Sequence, residues 1–114
     1  MTAKPRALVV EDDLEARLAI DRQLDTIGWD AYIANDGSEG LQMMRLELRF
    51  DAVLVALQLP DMDGRLVARA AASIRPEARI VFLANRPAAV NRPLLVKPFT
   101  TTALAAVLGY GYPR

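Results

Sequence analysis

The sequence predicts an α/β domain built on a parallel sheet. Short apolar runs alternate with segments whose apolar residues recur at helical spacing, the pattern of strands joined by crossover helices. The first apolar run ends in three consecutive acids, as a buried parallel strand does when it delivers polar groups at its carboxyl end. The chain is 53% hydrophobic but only 6% aromatic, and its 114 residues suffice for one core. We therefore expect a single domain over residues 1–114, with helices on both faces of the sheet.

Composition excludes several classes of protein. Fourteen basic and fourteen acidic residues cancel, so the net charge attracts neither nucleic acid nor an anionic membrane. Because there is no cysteine, the chain has no disulfide, thiolate metal site or cysteine nucleophile. The stretch Met1–Arg6 leads into only four apolar residues, which is neither a signal peptide nor a membrane span. These features predict a cytoplasmic protein that binds neither nucleic acid nor membrane.

The first half of the chain is predicted to form two strands and two helices. The strands are Ala7–Val10 and a second near Ala31–Ala34. Asp13 is a typical N-cap for the first helix, and Gly28 is placed to end it. Asp36-Gly37 makes the turn before the second helix. The apolar stripes are Leu14, Leu18, Ile20, Leu24 and Ile27 on the first helix, and Leu41, Met44 and Leu48 on the second.

The second half is predicted to add three strands and two helices. The strands are Ala52–Leu57, which is central, Ile80–Leu83 and Leu94–Val96. Asp63 caps the third helix, whereas Thr100–Thr102 can cap the last one and Gly109 stops it. The apolar stripes are Val67, Ala70, Ala71 and Ile74 on the third helix, and Leu104, Val107 and Leu108 on the last.

The connection between the fourth and fifth strands is too short for an ordinary crossover. Only nine residues lie between Ala84 and Leu94, and two of them are prolines. A parallel crossover normally needs a dozen or more residues, usually with a helix. Pro87 could begin a helix, but Pro93 forces Arg92 into extended geometry, which leaves about one turn. We expect part of one sheet face to be uncovered there, unless the last helix moves over it or another chain covers it.

Three segments together resemble the receiver domain of two-component response regulators. They are Leu8–Asp13, Phe50–Gly64 and Leu95–Phe99, and their order and spacing match that family over nearly the whole chain. Alone, each of the first two segments would indicate only a turn or a helix cap, and Lys97-Pro98-Phe99 would indicate little. The resemblance implies a flavodoxin-like, doubly wound sheet of five parallel strands in the order 2-1-3-4-5. It also implies that the fourth helix, which receivers carry in the short crossover, is missing or vestigial here.

The resemblance places alanine or leucine where a receiver carries its switching groups. Ala56 stands at the position of the aspartate that accepts the phosphoryl group. Ala84 occupies the position of the hydroxyl that follows the phosphoryl group, and Leu94 that of the switch aromatic. Three of the four switching parts are therefore absent, and we expect no catalytic residue.

The remaining site residues imply a weakened magnesium site. Glu11 and Asp12 match the two acids that hold Mg²⁺ in receivers, and Gln58 matches the residue whose carbonyl is a third ligand. Because Mg²⁺ needs an octahedron of hard oxygen ligands, the lost carboxylate at Ala56 leaves at best weak binding. Lys97 matches the receiver lysine. Without its usual partner, it is expected to form a permanent ion pair with Asp12 or Glu11.

Other carboxylates are poor substitutes for the missing acceptor. Asp51 begins the central strand and so lies at the opposite sheet edge, roughly 16 Å from Ala56. Asp61 and Asp63 belong to the turn and helix cap beyond that strand. None of the three is expected to lie in line with Lys97 and the acid pair.

These observations predict a non-enzymatic pseudo-receiver, which regulates two-component signalling through protein contacts and independently of phosphorylation. Its partner would be a histidine kinase, a phosphotransfer protein, another regulator or itself, as a homodimer through the side of strands four and five. No cofactor beyond weakly held Mg²⁺ is expected. The alternatives are a receiver still responsive to a phosphodonor, and a module that binds an anion such as a nucleotide through Asp12, Lys97 and the nearby Arg86 and Arg92.

Overall fold

The computed structural model describes residues 3–46 and 49–109, and its five strands form one parallel sheet in the order β2-β1-β3-β4-β5. The elements are β1 (Arg6–Val10), α1 (Leu14–Thr26), β2 (Asp30–Ala34), α2 (Gly37–Arg45), β3 (Ala52–Ala56), α3 (Gly64–Ile74), β4 (Arg79–Ala84), β5 (Leu94–Val96) and α4 (Thr101–Leu108). The fold class and the strand order are confirmed. None of these helices is long and apolar enough to cross a membrane.

Two apolar clusters hold the helices against the two faces of the sheet. All five residues of β3 are buried, as expected for a central parallel strand. Because successive residues of a strand point to opposite faces, Val53 and Phe82 join the cluster under α2 and α3, whereas Leu54 and Val81 join the one under α1 and α4. The C-terminal ends of the strands are thereby held in register, which fixes the positions of the site residues.

The predicted helix caps are confirmed. The Asp13 carboxylate accepts a hydrogen bond from the Ala16 amide at 2.8 Å, and Asp63 accepts one from the Arg65 amide at 2.8 Å. The Thr100 hydroxyl accepts from the Ala103 amide at 3.0 Å. Gly109 ends α4 with a φ of 85°, a left-handed conformation that only glycine adopts without strain. Each cap depends on residues within one turn, and local sequence therefore predicts it.

The boundary at the start of the second helix differs from the predicted one. Asp36 is the N-cap of α2 through a bond from the Glu39 amide, so Gly37 begins the helix instead of completing a turn. Gly28 ends α1 as predicted, because it directly follows the C-cap Ile27 with a left-handed φ of 87° and its amide donates to the Asp25 carbonyl. The predicted stripe residue Leu48 lies outside the described residues.

The strands are also longer or shorter than predicted. Strands β1, β2 and β4 each begin one residue earlier than expected, and β4 includes Ala84. Strand β3 ends at Ala56, because the backbone turns at Leu57, whose carbonyl accepts the Gly64 amide at 2.7 Å. Strand β5 has the predicted bounds.

The predicted buried stripe of α1 is wrong at its first two positions. Leu14 is 59% exposed and Leu18 is 53% exposed, whereas Ile20 and Leu24 are buried against the sheet. Leu14 and Leu18 lie on a different side of the helix from Ile20, so a helical period cannot by itself say which side faces the core. These two leucines are an apolar feature of the surface.

The crossover over residues 85–93 contains no helix, as predicted, but it does not leave the sheet bare. Val90 and Leu94 pack against the cluster that contains Phe82, which is only 2% exposed. Helix α4 stays on the other face, where Leu104 and Leu108 are buried. The expectation of an uncovered sheet face is therefore wrong, because the crossover loop itself supplies the cover.

Candidate functional site

The carboxyl ends of four strands bring the predicted site residues to one edge of the sheet. Glu11 follows β1, Ala56 ends β3, Ala84 ends β4, and Lys97 follows β5. The Lys97 amide donates to the Ala84 carbonyl at 2.7 Å, which continues the β4–β5 ladder past the end of β5. Parallel strands place their carboxyl ends at the same edge, which is why residues distant in sequence meet here.

Lys97 forms a buried ion pair with Glu11. Its Nζ lies 2.7 Å from Glu11 Oε1, and the two side chains are 15% and 1% exposed. The other oxygen, Oε2, accepts a hydrogen bond from the Asp13 amide at 3.1 Å. Of the two partners that the sequence left open for Lys97, Asp12 is exposed and Glu11 is the one it meets.

This ion pair spans the sheet edge. Strands β3 and β4 lie between β1 and β5, and three strand spacings amount to about 14 Å. The two side chains therefore reach toward each other across the ends of β3 and β4. Those ends carry Ala56 and Ala84, which are 3% and 9% exposed and have no polar side-chain atom to offer Lys97. Leu94, at the start of β5, is half-buried against the apolar cluster beneath α3.

A groove of about 940 Å³ opens at this edge beside the ion pair. Its lining includes Ala56 and Ala84 together with polar groups from Gln58, Arg86 and Lys97. Arg86 is exposed and forms no ion pair within the described part of the chain. The groove is thus a wide concave surface with cationic groups at its rim.

The donor set does not fit a magnesium site of the receiver kind. Both oxygens of the Glu11 carboxylate already have partners, and the Ala56 side chain has no oxygen. The remaining candidate ligands for Mg²⁺ are the exposed Asp12 carboxylate and the Gln58 carbonyl. Among the described residues, no group of three or more acidic, histidine or cysteine side chains is arranged to hold a metal ion. Mg²⁺ prefers near-octahedral oxygen coordination, for which this edge offers one uncommitted carboxylate.

The three other candidate carboxylates are engaged elsewhere. Asp51 Oδ2 accepts the Arg6 amide at 2.9 Å, at the amino end of the strands. Asp63 caps α3 and lies 3.4 Å from Arg65 Nη1. Asp61 Oδ1 and Oδ2 accept the amides of Gly37 and Ser38, both at 2.9 Å. The structure brings none of these carboxylates into contact with Lys97.

Asp61 has a structural role that the sequence did not reveal. Its carboxylate binds the first two amides of α2 and so ties the loop after β3 to that helix. The hydrogen bonds from Gly37 and then Ser38 hold the pKa of Asp61 below its ordinary value of 3.8. No local signal could have found this contact, because the partners are 23 and 24 residues apart.

A second missed contact fixes the segment that follows β5. The Gln23 side-chain amide Nε2 donates to the Phe99 carbonyl at 2.7 Å and thereby joins α1 to the turn after Lys97. The sequence marked Gln23 neither as a cap nor as part of an apolar stripe. Together with the ion pair, this bond fastens Lys97 and the residues after it to α1 and β1.

Comparison with characterised proteins shows a consistent similarity. The chain is 30% identical to the transcriptional regulatory protein PrrA of Mycobacterium leprae over 113 residues, which are 91% of this chain and 48% of that protein. It is 32% identical to the response regulator MprA of the same organism over 110 residues, 89% of this chain and 48% of that one. It thus spans about half the length of these relatives. No protein-family model matches the chain.

Solved structures agree with this similarity. The chemotaxis protein CheY4 of Vibrio cholerae has a TM-score of 0.83 and 26% identity, and the match covers 94% of this chain and 98% of that one. A CheY-like receiver domain protein of Methanospirillum hungatei has a TM-score of 0.84 with 21% identity and coverage of 94% and 92%. The receiver domain of a Pseudomonas aeruginosa sensor histidine kinase, whose structure contains magnesium in its active-site cleft, has a TM-score of 0.81 at 24% identity, with coverage of 93% and 95%.

Proposed function

Because this chain is a response regulator receiver domain of the CheY-like type, we propose that it is a pseudo-receiver, which regulates by binding a protein without accepting a phosphoryl group. Receivers carry the phosphoryl group on an aspartate at the end of the third strand. Ala56 ends β3 here, and its methyl group has no oxygen that could attack phosphorus. Function depends on the site and not on the fold, so a receiver fold can persist without the receiver reaction.

The ion pair between Lys97 and Glu11 is the observation that carries this proposal. In a working receiver the lysine pairs with the acceptor carboxylate and then stabilises the transferred charge. Here Lys97 is held 2.7 Å from a glutamate that is 1% exposed. Releasing it toward an incoming anion would leave Glu11 buried without its counter-charge, which is costly. The pair therefore favours one standing conformation over a switch.

The proposed module has no enzymatic activity and acts in the cytoplasm. Its partner would be a histidine kinase, a phosphotransfer protein, another regulator or a second copy of the chain. The β4–β5 side is the proposed contact surface, because the helix that covers it in receivers is replaced by the loop over residues 85–93. Mg²⁺ would bind weakly, through Asp12 and the Gln58 carbonyl, and would not be needed for partner binding.

Intact-mass spectrometry after incubation with acetyl phosphate and Mg²⁺ tests this proposal. We expect no phosphorylated species of the wild-type protein. The matched control is Ala56→Asp, which returns a carboxylate to the end of β3 and should give a labelled fraction if the edge otherwise supports transfer. Near-stoichiometric labelling of the wild-type protein would overturn the proposal. The same reaction on Asp12→Ala would then identify the acceptor.

The groove supports a second candidate, the binding of an anion such as a nucleotide. Its rim carries Arg86 and Lys97, and ligands of open α/β sheets bind at this edge. Differential scanning fluorimetry against nucleotides would detect such a ligand, since one present at 100 times its Kd stabilises the protein by about 2.7 kcal/mol. An Arg86→Ala variant should lose the shift. Unchanged melting with every nucleotide would remove this candidate.

A further inference from the structure

The charges of this neutral chain are separated along the sequence. Residues 1–63 hold thirteen of the fourteen acidic residues and six of the fourteen basic ones, whereas residues 64–114 hold one acid, Glu77, and eight bases. The first segment forms α1, α2 and β1 to β3, and the second forms α3, α4, β4, β5 and the crossover. In the observed strand order, the β2–β1 side is therefore acidic and the β4–β5 side basic.

The basic side contains a groove with an apolar floor, which we call the arginine groove. It has a volume of about 560 Å³. Arg65 and Arg69 from α3 and Arg92 from the crossover line it, and the apolar lining includes Phe82 and Val90. Arg69 and Arg92 are exposed and form no ion pair with any residue that the structure describes. Phe82 is too deeply buried to stack on a base, so the groove suits a protein surface better than a nucleic acid.

The acidic side presents a complementary ridge on α1. Leu14, Leu18, Asp21 and Asp25 are spaced by four, three and four residues and so lie on one stripe of the helix, about 16 Å long. All four are exposed. Neither aspartate side chain has a hydrogen bond or ion pair within the described part of the chain. The stripe, which we call the α1 ridge, joins an apolar end to an anionic end.

We propose that the chain associates head to tail, with the α1 ridge of one copy in the arginine groove of the next. The two leucines would contact the accessible apolar lining at Ala89 and Val90, and Asp21 and Asp25 would face Arg69 and Arg92. This inference rests on the proposed function, since it names the partner of the β4–β5 side as a second copy. A symmetric pairing of two grooves would instead set arginines against arginines, which like-charge repulsion disfavours.

A head-to-tail contact has distinct consequences. Because the ridge and the groove are different surfaces, each copy keeps one of them free, and association continues beyond the dimer. A contact of three helical turns with one groove is small, and small interfaces are weak and transient. Since the ion pairs of this head-to-tail contact would lie near solvent, salt should weaken the contact. The mean mass should therefore rise steadily with protein concentration at low salt and return toward the monomer at high salt.

Sedimentation equilibrium across a concentration series tests the proposal with three variants. The groove variant is Arg69→Glu with Arg92→Glu, and the ridge variant is Asp21→Lys with Asp25→Lys. We expect each to stay near the monomer mass of 12.5 kDa where the wild type does not. The variant carrying all four substitutions again has opposite charges on its ridge and its groove, so it should regain association. Recovery of association would also show that the substituted chain folds. Arg45→Glu with Glu77→Lys, outside both surfaces, is the matched control and should behave as the wild type.

Three results would overturn this inference. They are a wild type that stays monomeric at every concentration and salt, a ridge variant that associates as well as the wild type, and a fourfold variant that does not recover. Failure of the proposed function is seen separately, because it depends on acetyl phosphate labelling and not on mass in solution. A monomeric, unlabelled wild type would remove the head-to-tail contact and leave the pseudo-receiver proposal intact.

Discussion

At the scale of single residues, the site is characterised by the partners of its charged side chains. Glu11 is 1% exposed, and its two oxygens meet Lys97 Nζ and the Asp13 amide. Asp12, the next residue, is exposed. Successive side chains at the end of a strand point in opposite directions, so one of two adjacent acids becomes a structural group and the other stays in water. The two adjacent acids therefore have different surroundings, one paired inside the protein and one in water.

The first prediction concerns the cost of breaking the ion pair. Replacing Lys97 with methionine keeps the volume but leaves Glu11 as a buried charge with only the Asp13 amide to stabilise it. We expect the free energy of unfolding to fall by about 3 kcal/mol. Urea denaturation monitored by circular dichroism measures this change. The double variant Glu11→Gln with Lys97→Met should lose less stability than Lys97→Met, because no charge remains buried. Unfolding of Lys97→Met at the wild-type urea concentration would show that the pair does not stabilise the fold.

Gly64 gives a second prediction at this scale. It begins α3 directly against β3, and a Cβ added there would lie 1.9 Å from the Ala56 carbonyl oxygen. Since the obstacle is backbone, Gly64→Ala must displace the helix, and we expect a loss of about 3 kcal/mol in the free energy of unfolding. Ser73→Ala, on the exposed side of α3, is the control and should change it little. Equal urea midpoints for both variants would contradict this expectation.

At the scale of elements, a few contacts from loops supplement the two apolar clusters that hold the described helices against the sheet. Asp61 connects the loop after β3 to the start of α2, and Gln23 connects α1 to Phe99. The loop over residues 85–93 substitutes for a helix by packing Val90 into the core. These contacts join the loops at the carboxyl ends of the strands to the neighbouring helices and to the core.

Asp61 predicts a pH dependence. Its pKa is lowered in the folded state by the Gly37 and Ser38 amides, so the unfolded state takes up the proton first as the pH falls. Its contribution to stability is therefore complete above the ordinary value of 3.8 and is lost as the pH falls through the lower folded value. Asp61→Asn should be less stable than the wild type at neutral pH, and the difference should shrink in acid. Urea unfolding at several pH values measures it, and a constant difference would contradict the assignment.

At the scale of the whole molecule, the sequence predicted those features that depend on residues close together in the chain. The caps at Asp13 and Thr100 are local, and the helix-free crossover follows from nine residues with two prolines. The exposure of Leu14 and the reach of Asp61 to α2 depend on how elements pack, which no local pattern contains. The strand order came from the family resemblance, because strand periodicity does not specify which strands are neighbours.

The separation of charge is also a property of the whole molecule, since zero net charge conceals it until the strand order is known. It predicts that the protein, near its isoelectric point of about 6.2, is retained at low salt by both anion and cation exchangers. The ridge variant should elute earlier from the anion exchanger, and the groove variant earlier from the cation exchanger. Elution of the wild type in the void of both columns would mean that its opposite charges are too interspersed to act as two surfaces. Because resin binding requires no second copy, this result would test the charge pattern apart from self-association.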